Sequence, residues 1–360
     1  MYIIVFLLIL GVLVLVHEFG HFIAAKRSGV KVEEFGFGFP PRLFGIRKGE
    51  TLYSINLFPI GGFVKLYGEE YHEMKGGEDS KATSTSDRAF VNKKPWQKAL
   101  IIVAGVIGNF LLGWLVMSYL FTQGVPVPIN KVLVQKVVKN SPAQSAGLQK
   151  NDVVQSLSYQ DKTFPIDSSE DLSCLVSRFT DQKITLGLKR DSQTRSVELV
   201  PRKNPPKGQG PLGVALTMPF EIKKYPWYQA PFYGLVQAAD ITWKIVGQFG
   251  KIISQLIIFH KPCAEFSGPV GIASYTGEAL KIGLNAVLEL LALLSLNLAV
   301  INILPFPALD GGRLVFIIYE WITKKRVNED FEKKLNLAGF ALLLTLAGLV
   351  TIHDIIKIYK

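Results

Sequence analysis

The stretch that decides the fold is an apolar run at residues 2–25, which contains the sequence His17-Glu18-Phe19-Gly20-His21. Residues i and i+4 of a helix share a face, so His17 and His21 can bind one metal ion. Glu18 then lies beside the metal, placed to take a proton from a bound water molecule. Ionisable side chains are costly inside a bilayer, so their presence in an apolar helix indicates a function. The stretch therefore predicts a zinc hydrolase that works within a membrane.

An exposed soluble helix and a secretory signal peptide both fit this segment less well. The H-E-x-x-H pattern does occur by chance on the exposed faces of soluble helices, and an N-terminal apolar run can be a signal peptide. A signal peptide has a basic start and a small-residue cleavage site, whereas residues 1–5 contain no basic side chain. As a helix the run covers about 36 Å, which is enough to cross a bilayer with some tilt.

Composition agrees with a membrane protein. Of 360 residues 49% are hydrophobic, and apolar runs of 20 or more residues lie at about 2–25, 99–122, 284–304 and 335–356. The stretch 228–259 is also apolar but contains Asp240, Lys244 and Lys251, so it predicts amphipathic helices at the membrane interface rather than a fifth span. The two cysteines, Cys174 and Cys263, exclude a disulfide framework and a thiolate zinc site, although they could form one bridge.

The net charge of +11 is explained by membrane topology, because Lys and Arg collect in cytoplasmic loops. Basic residues near the span ends are more numerous in segments 26–98 and 311–334, which places these segments inside and 124–283 outside. No basic stripe interleaved with aromatic residues is present, so nucleic acid is not an expected partner. The predicted division of the chain is residues 1–123, 124–204, 205–283 and 284–360.

Residues 124–204 predict a β-rich soluble domain with a strand at 132–138 and paired strands at 184–189 and 194–200. Residues 168–180 predict an amphipathic helix capped by Ser168. The Pro- and Gly-rich segment 205–211 predicts a linker that ends the domain.

A catalytic zinc site requires three protein ligands and an open position for water. Spans one and three run in the same direction, so the third ligand should lie near the C-terminal end of span three, level with His17 and His21. His353 ends span four in the opposite leaflet, and His72 and His260 lie in polar or outer segments. At the end of span three Pro305 and Pro307 break the helix just before Asp310, which predicts Asp310 as the third ligand.

Six blocks in order resemble the site-2 protease family of intramembrane zinc metalloproteases, in its regulator of sigma-E protease branch. The blocks are His17–His21, Gly36–Pro40, Pro59–Lys65, Ala104-Gly105 with Asn109-Phe110, Gly268–Ile272 and Asn302–Gly312. The resemblance implies that zinc is bound by His17, His21 and Asp310, with Glu18 as general base. It also implies that Asn302 contacts the substrate backbone or steadies the reacting carbonyl. It implies no organic cofactor.

The resemblance also implies a membrane-re-entrant β-hairpin, which residues 51–67 fit, with strands on either side of Gly61-Gly62. An exposed edge here, at Gly61, Gly62 and Phe63, could pair with an unwound substrate by strand addition. The block Ser141–Asp152 resembles the signature of the extracytoplasmic PDZ domains of the family. Asn151 replaces the usual glycine, and Asn tolerates a left-handed backbone.

The expected fold is therefore a polytopic α-helical membrane protein with about four transmembrane helices, a membrane-associated β-hairpin and an inserted extracytoplasmic PDZ domain. The resemblance implies a bacterial inner-membrane protease with its active site toward the cytoplasm, which cleaves single-pass membrane proteins already trimmed by another protease. Anti-sigma factors and remnant signal peptides are the implied substrate classes. The rival functions are a catalytically silent PDZ scaffold and a transporter, but a transporter should show paired inverted halves, and none is apparent.

Overall fold

A computed structural model describes residues 2–69, 86–129, 131–160, 162–191, 193–206, 208–259, 268–325 and 327–358. In chain order the helices are α1 (Tyr2–Arg27), α2 (Pro95–Gln123), α3 (Pro142–Ser145), α4 (Ser169–Arg178), α5 (Ala230–Phe259), α6 (Pro269–Ile282), α7 (Leu284–Ile303), α8 (Asp310–Thr323) and α9 (Glu329–Ile358). The strands are β1 (Val32–Lys48), β2 (Thr51–Leu66), β3 (Val125–Pro128), β4 (Val132–Val137), β5 (Val153–Tyr159), β6 (Lys162–Pro165), β7 (Ile184–Arg190), β8 (Gln193–Leu199), β9 (Val214–Thr217) and β10 (Phe220–Lys223).

The described chain divides into two compact units. A membrane unit contains the residues up to 122, residues 226–250 and the chain from 268 onward, and an inserted domain contains residues 123–225 with the end of α5. Four helices of the membrane unit are long and apolar enough to cross a bilayer, namely α1, α2, α7 and residues 330–356 of α9. These four helices of the described ranges agree with the four predicted runs, and their length and composition are those of membrane spans.

The fifth apolar stretch, predicted as several amphipathic helices, forms one continuous helix, α5. Small residues at every fourth position, Ala230, Gly234 and Ala238, let the first half of α5 approach α2 closely. A side chain at Gly234 would collide with Ser118 of α2. Trp114 of α2 also donates a hydrogen bond to the carbonyl oxygen of Pro231, at 2.8 Å. A position of α5 at the membrane interface stays a prediction.

Strands β1 and β2 form a small sheet beside α1. The first half of β1 lies between the two halves of β2, since Phe35 is paired with both Tyr53 and Val64. The hairpin predicted within residues 51–67 is therefore wrong in its pairing, because both halves of β2 pair with β1 and not with each other. The sequence around Gly36 is itself a strand and occupies the position between them. Among the described strands, residues 62–66 pair on one side only.

Helix α6 begins at the block Gly268–Ile272 and is held at its start by α9. The buried carboxylate of Asp354 accepts hydrogen bonds from the backbone N–H groups of Gly268 and Gly271, both at 2.8 Å. The first N–H groups of a helix have no partner within the helix. A carboxylate there accepts their hydrogen bonds and is stabilised by the positive end of the helix dipole. This contact fixes α6, which packs against α1 and α7, to the last span.

The inserted domain is built on a sheet of six strands in the order β8-β7-β5-β4-β9, with β6 paired to β5. Helix α4 packs its buried face, Leu172, Leu175 and Val176, into the same core as the inner residues of the sheet. Ser168 caps α4 by accepting a hydrogen bond from the N–H of Asp171, as the sequence predicts. The sheet also includes β9, which follows the predicted linker and returns to pair with β4.

The turn before β5 is held by the fully buried carboxylate of Asp152. Arg190 binds both oxygens of Asp152, at 2.6 and 2.7 Å, and the N–H of Gln149 donates to Oδ2 at 2.8 Å. Asn151 has a positive φ of 72°, which confirms the left-handed backbone predicted there. Burial alone would raise the pKa of Asp152, but the hydrogen bonds from Arg190 and Gln149 outweigh it and hold the pKa below its ordinary value.

Replacing Asp152 with Asn should destabilise the inserted domain by about 1–3 kcal/mol at neutral pH, since a buried carboxylate loses charged hydrogen bonds. The pKa of Asp152 is lower in the folded chain, so its stabilisation is complete above the pKa of an unfolded Asp, about 3.9, and is lost as pH falls through the lower folded value. Hydrogen exchange of peptides from β5 and β7 in the full chain measures the effect. Asp191→Asn, with the same change in charge, is the control. An equal effect of both variants, or one that persists unchanged in acid, contradicts the prediction.

Candidate metal centre

Three side chains from two helices meet at one point in the membrane unit. Nε2 of His17 lies 3.0 Å from Oδ2 of Asp310, and Nε2 of His21 lies 3.2 Å from the same oxygen. The two Nε2 atoms are 3.1 Å apart. Within the described ranges, these residues are the one group of three or more His, Cys, Asp or Glu side chains with the spacing of metal ligands. The structure thus brings together the three residues that the sequence predicts as ligands.

The residues present fit a zinc ion. Two imidazole nitrogens and one carboxylate oxygen form a ligand set that zinc takes in catalytic sites. In a tetrahedral site with bonds of about 2.0–2.1 Å, the ligand atoms are about 3.3 Å apart, close to the distances between these three atoms. Oδ2 of Asp310 is buried and, in the part of the chain that is described, accepts no hydrogen bond. A bound cation would satisfy this oxygen, which is otherwise costly to bury.

Glycines bring α1 and α2 into backbone contact at the level of the histidines. A side chain at Gly20 of α1 would collide with the carbonyl oxygen of Ala104, and one at Gly108 would lie 2.8 Å from the carbonyl oxygen of Val16. A side chain at Gly105 would occupy the space of the His21 ring. Small residues at a helix interface in a membrane permit this approach. The Ala104-Gly105 block therefore makes room for the metal ligands.

The outer nitrogens of both histidine rings contact α2. Nδ1 of His21 lies 2.8 Å from the carbonyl oxygen of Ile101, which accepts the proton on Nδ1 and leaves Nε2 for the metal. Nδ1 of His17 lies 3.4 Å from the side-chain amide of Asn109, which is fully buried. Ring nitrogens opposite a metal commonly have such partners, and they fix the orientation of the ligand.

Asp310 is positioned by a break between α7 and α8. Helix α7 ends at Ile303, and Asp310 is the first residue of α8 rather than part of a simple turn. Side chains at Gly311 and Gly312 would collide with the carbonyl oxygens of Leu304 and Phe306. Only glycine lets the first turn of α8 lie against the broken segment, and this explains the sequence that follows Asp310.

Asn302 reaches the centre from the last turn of α7. Its Nδ2 lies 3.4 Å from Nε2 of His17, and its side chain is therefore beside the ligand atoms. The structure thus places Asn302 where the sequence analysis predicts it, although the role in substrate binding stays a prediction.

The sheet edge predicted to bind substrate lies beside Glu18. A side chain at Gly62 would meet Cγ of Glu18 at 3.2 Å and Cγ1 of Val14 at 3.0 Å, so this glycine lets the strand approach α1. The neighbouring Phe63 lies over Gly36, where its ring leaves no room for a side chain. Gly61 has a positive φ of 91° and lies against the ring of Phe39. The three predicted substrate-binding residues therefore belong to one segment of β2, in which Gly62 lies next to Glu18.

Of the three remaining histidines only His353 lies in the described ranges, and it does not join this centre. His353 is exposed on α9 near Asp354, at the opposite end of the helix from the segment that contacts the α7–α8 break. His72 and His260 lie outside the described residues, as does Cys263.

Three groups of α2 at this site have no role predicted from the sequence, namely the carbonyl oxygen of Ile101, Gly105 and Asn109. A backbone carbonyl leaves no trace in a sequence. Asn109 does leave a signal, since a buried amide in a span is rare without a purpose. Gly105 and Asn109 are four residues apart, so both face α1 from one side of α2.

Comparisons with known proteins agree with this centre. The model of peptidase family M50 matches residues 5–346. A relative from Clostridium perfringens is 34% identical over 362 residues, and one from Clostridium acetobutylicum is 33% identical over 355 residues; both carry the name zinc metalloprotease. The alignments cover 99% of both chains for the first relative, and 98% of this chain and 97% of the other for the second.

A third relative, from Bacillus subtilis, is named regulator of sigma-W protease RasP and is 28% identical over 428 residues, with 99% of each chain covered. A family match over nearly the whole chain agrees with the four apolar helices and with the convergence of His17, His21 and Asp310. The chain therefore belongs to peptidase family M50, the site-2 protease family of zinc metalloproteases that act within membranes.

Proposed function

We propose that this protein hydrolyses peptide bonds of transmembrane segments at the centre formed by His17, His21 and Asp310. These three residues bind zinc, and Glu18 is the general base. The observation that carries the proposal is the convergence of the three ligand atoms within 3.2 Å of one another, beside Glu18 and a strand edge. When bound there, zinc supplies polarisation of the scissile carbonyl and makes a water molecule acidic enough to attack it.

The side chains around the ligands perform the rest of the reaction. Glu18 takes the proton of the attacking water and delivers it to the leaving amine. The amide of Asn302 lies beside Nε2 of His17, so it is close to the proposed zinc site. From there it holds the substrate backbone or donates a hydrogen bond to the reacting carbonyl. The amide of Asn302 is held in place by the packing of α7. A hydrogen-bond donor that is preorganised in this way can stabilise the charge that develops in the transition state.

The substrate binds in an extended form along residues 61–66. A helix hides its peptide bonds in hydrogen bonds, so a transmembrane segment must unwind before it is cut. Strand addition supplies replacement hydrogen bonds for the unwound backbone, and residues 62–64 pair with β1 on one side and with no other described strand. Gly62 brings the edge next to Glu18, so an added strand lies close to the catalytic carboxylate.

The substrates are single-pass membrane proteins, already shortened on the outside by another protease. The name of the Bacillus subtilis relative, regulator of sigma-W protease, supports the anti-sigma factor class, and remnant signal peptides are a second class. The protein is a multi-pass protein of the bacterial inner membrane, and the excess of Lys and Arg in segments 26–98 and 311–334 supports an active site toward the cytoplasm.

The inserted domain is a PDZ domain on the outer side that excludes untrimmed substrates by size. Its support is the block Ser141–Asp152, in which Ser141 caps α3 and Asp152 fixes the following turn. A catalytically silent PDZ scaffold is the rival function. It is disfavoured because both zinc metalloprotease relatives match nearly the whole chain, and because Glu18 and the three proposed ligand residues are all present.

Glu18→Gln should lower the rate of cleavage of a transmembrane reporter by about 10²–10⁴-fold, because proton transfer by a general base contributes that much. The zinc content should remain that of the unchanged protein. The measurement is a cleavage assay in liposomes together with elemental analysis. Glu289→Gln, which removes a carboxylate from a different helix, α7, should leave the rate unchanged. Full activity of the Glu18 variant contradicts the proposed mechanism.

Asp310→Ala should abolish tight zinc binding, since it removes one of three protein ligands. Zinc per chain is measured after incubation with a chelator. Asp330→Ala, at the start of α9, is the matched control and should retain its zinc. If the Asp310 variant holds zinc as tightly as the control, Asp310 is not a ligand.

Gly62→Ala should reduce cleavage without loss of zinc, because the added methyl group pushes the strand edge away from Glu18. The control is Gly45→Ala in the same sheet, where the new methyl group meets the flexible side chains of Arg42 and Leu52 at 3.3 Å and the carbonyl oxygen of Tyr53 at an ordinary contact distance of 3.6 Å. Initial rates and zinc content of the two variants are compared. Equal rates would show that the position of this edge does not matter for catalysis.

A further inference from the structure

The geometry of the proposed ligands requires a hydrogen-bond acceptor at Nδ1, on the far side of each histidine ring. Nε2 of His17 and Nε2 of His21 both face Oδ2 of Asp310, so these are the atoms that bind metal. A neutral imidazole that binds metal through Nε2 carries its proton on Nδ1. Each Nδ1–H lies between packed membrane helices and needs an acceptor, because a buried donor without a partner is costly.

For His21 the acceptor is the carbonyl oxygen of Ile101, at 2.8 Å. For His17 the group at Nδ1 is the side-chain amide of Asn109, at 3.4 Å, and no other hydrogen-bonding group of the described residues approaches that nitrogen. The amide faces His17 through Nδ2, while its Oδ1 is buried and accepts no hydrogen bond from any residue in the described ranges.

The two ends of an amide exchange places by a half-turn about the last bond of the side chain. Either orientation leaves one end of the Asn109 amide without a partner, but only the orientation with Oδ1 toward His17 accepts the proton on Nδ1. We propose that Asn109 is a positioning residue of the metal centre, whose Oδ1 accepts the Nδ1–H of His17 and so fixes the ring for zinc. This inference depends on the ligand set proposed above.

Asn109 is held well enough for this task. Its side chain is fully buried, and its backbone carbonyl oxygen accepts a hydrogen bond from the buried hydroxyl of Ser295, at 2.7 Å. Ser295 lies two turns before Asn302 on α7, so both residues are on the same face of that helix. Asn302 in turn lies 3.4 Å from Nε2 of His17.

The contacts of Asn109 thus link three membrane helices around one histidine. His17 is on α1, Asn109 on α2 and Ser295 on α7, and Gly105 provides the space for the rings on the same face of α2 as Asn109. Polar groups inside a membrane protein are retained where they serve a function, and hydrogen-bonded partners of metal ligands tune both the affinity and the geometry of a site.

The test compares two substitutions of Asn109 in the full-length protein in detergent. Asn109→Leu has a similar volume and no acceptor, and its zinc affinity, measured by competition with a chromophoric chelator, should fall by about 10–100-fold. Asn109→Asp keeps an acceptor oxygen and should bind zinc at least as tightly as the unchanged protein. The absorption spectrum of the cobalt-substituted protein should change in the leucine variant and be retained in the aspartate variant.

Ser118→Ala is the control, because Ser118 is buried on the same helix but bonds only to the carbonyl oxygen of Trp114. Hydrogen exchange of α2 in the metal-free chain shows whether each variant is folded. Asn109→Ala, which adds no branched side chain to the packed interface, replaces the leucine variant if the latter does not fold.

Unchanged zinc affinity in the leucine or alanine variant overturns the inference, and so does an equal loss in the aspartate variant. The ligand set is tested separately by His17→Ala and Asp310→Ala. If these two lose zinc while the variants of Asn109 do not, only the role of Asn109 fails. If these two retain zinc, the proposed ligand set itself fails.

Discussion

The contact between the backbones of α1 and α2 is the constraint on which the rest of the metal centre depends. Gly20 lies directly against the carbonyl oxygen of Ala104, and Gly105 lies against the ring of His21. At this distance the carbonyl group of Ile101 can reach Nδ1 of His21. If α1 and α2 were farther apart, they would lose this packing, and His21 would lose its hydrogen bond to Ile101. The contact between the helices therefore determines both the position of the His21 ring and which of its nitrogens carries the proton.

Asp310, the proposed third ligand, depends on a helix that ends at membrane depth and not on two closely packed helices. Backbone groups freed by such a break must be satisfied within the protein. Ala308 has a positive φ of 72°, and its N–H donates to Oδ1 of Asn336 on α9 at 3.2 Å. Gly339 of the same helix lies against Pro307. The last span therefore supports the irregular segment that carries Asp310, which gives this otherwise poorly buried helix a structural role.

The sequence predicted that His17, His21 and Asp310 lie together because the chemistry of these residues is visible in it. Two histidines four residues apart in an apolar helix, and a carboxylate after a helix break at the same depth, are combinations that membrane burial makes costly without a function. The pairing within the small sheet was not predictable in this way. Strand pairing depends on long-range register, and the segment around Gly36 has no feature that shows it lies between the two halves of β2. Asn109 belongs to one of the blocks that resemble the family. Its role depends on which helix packs against it, and the sequence does not show this.

The frame that holds the ligands also sets the distance between the strand edge and the catalytic carboxylate. Arg313, one turn after Asp310 on α8, forms an ion pair with Glu69 at 2.6 Å, just beyond the end of β2. At the end of α1, Lys26 is paired with Glu50 in the turn between β1 and β2, at 2.7 Å. Hydrogen bonds from Lys26 and Arg88 lower the pKa of the Glu50 carboxyl, so this partly exposed pair stays charged in mild acid.

Both pairs are partly exposed, and ion pairs in contact with solvent contribute little on their own. Their positions matter more than their strength, because they join the sheet to the helix of His17 and to the helix of Asp310. A peptide added at the edge beside Gly62 is then placed relative to all three ligands by the same contacts. Proximity of the reacting groups is a large part of enzymatic rate enhancement, and it depends on such placement to within about an ångström. If a substrate pairs with this edge as proposed, the sheet is part of the catalytic centre, although none of its side chains is a proposed ligand.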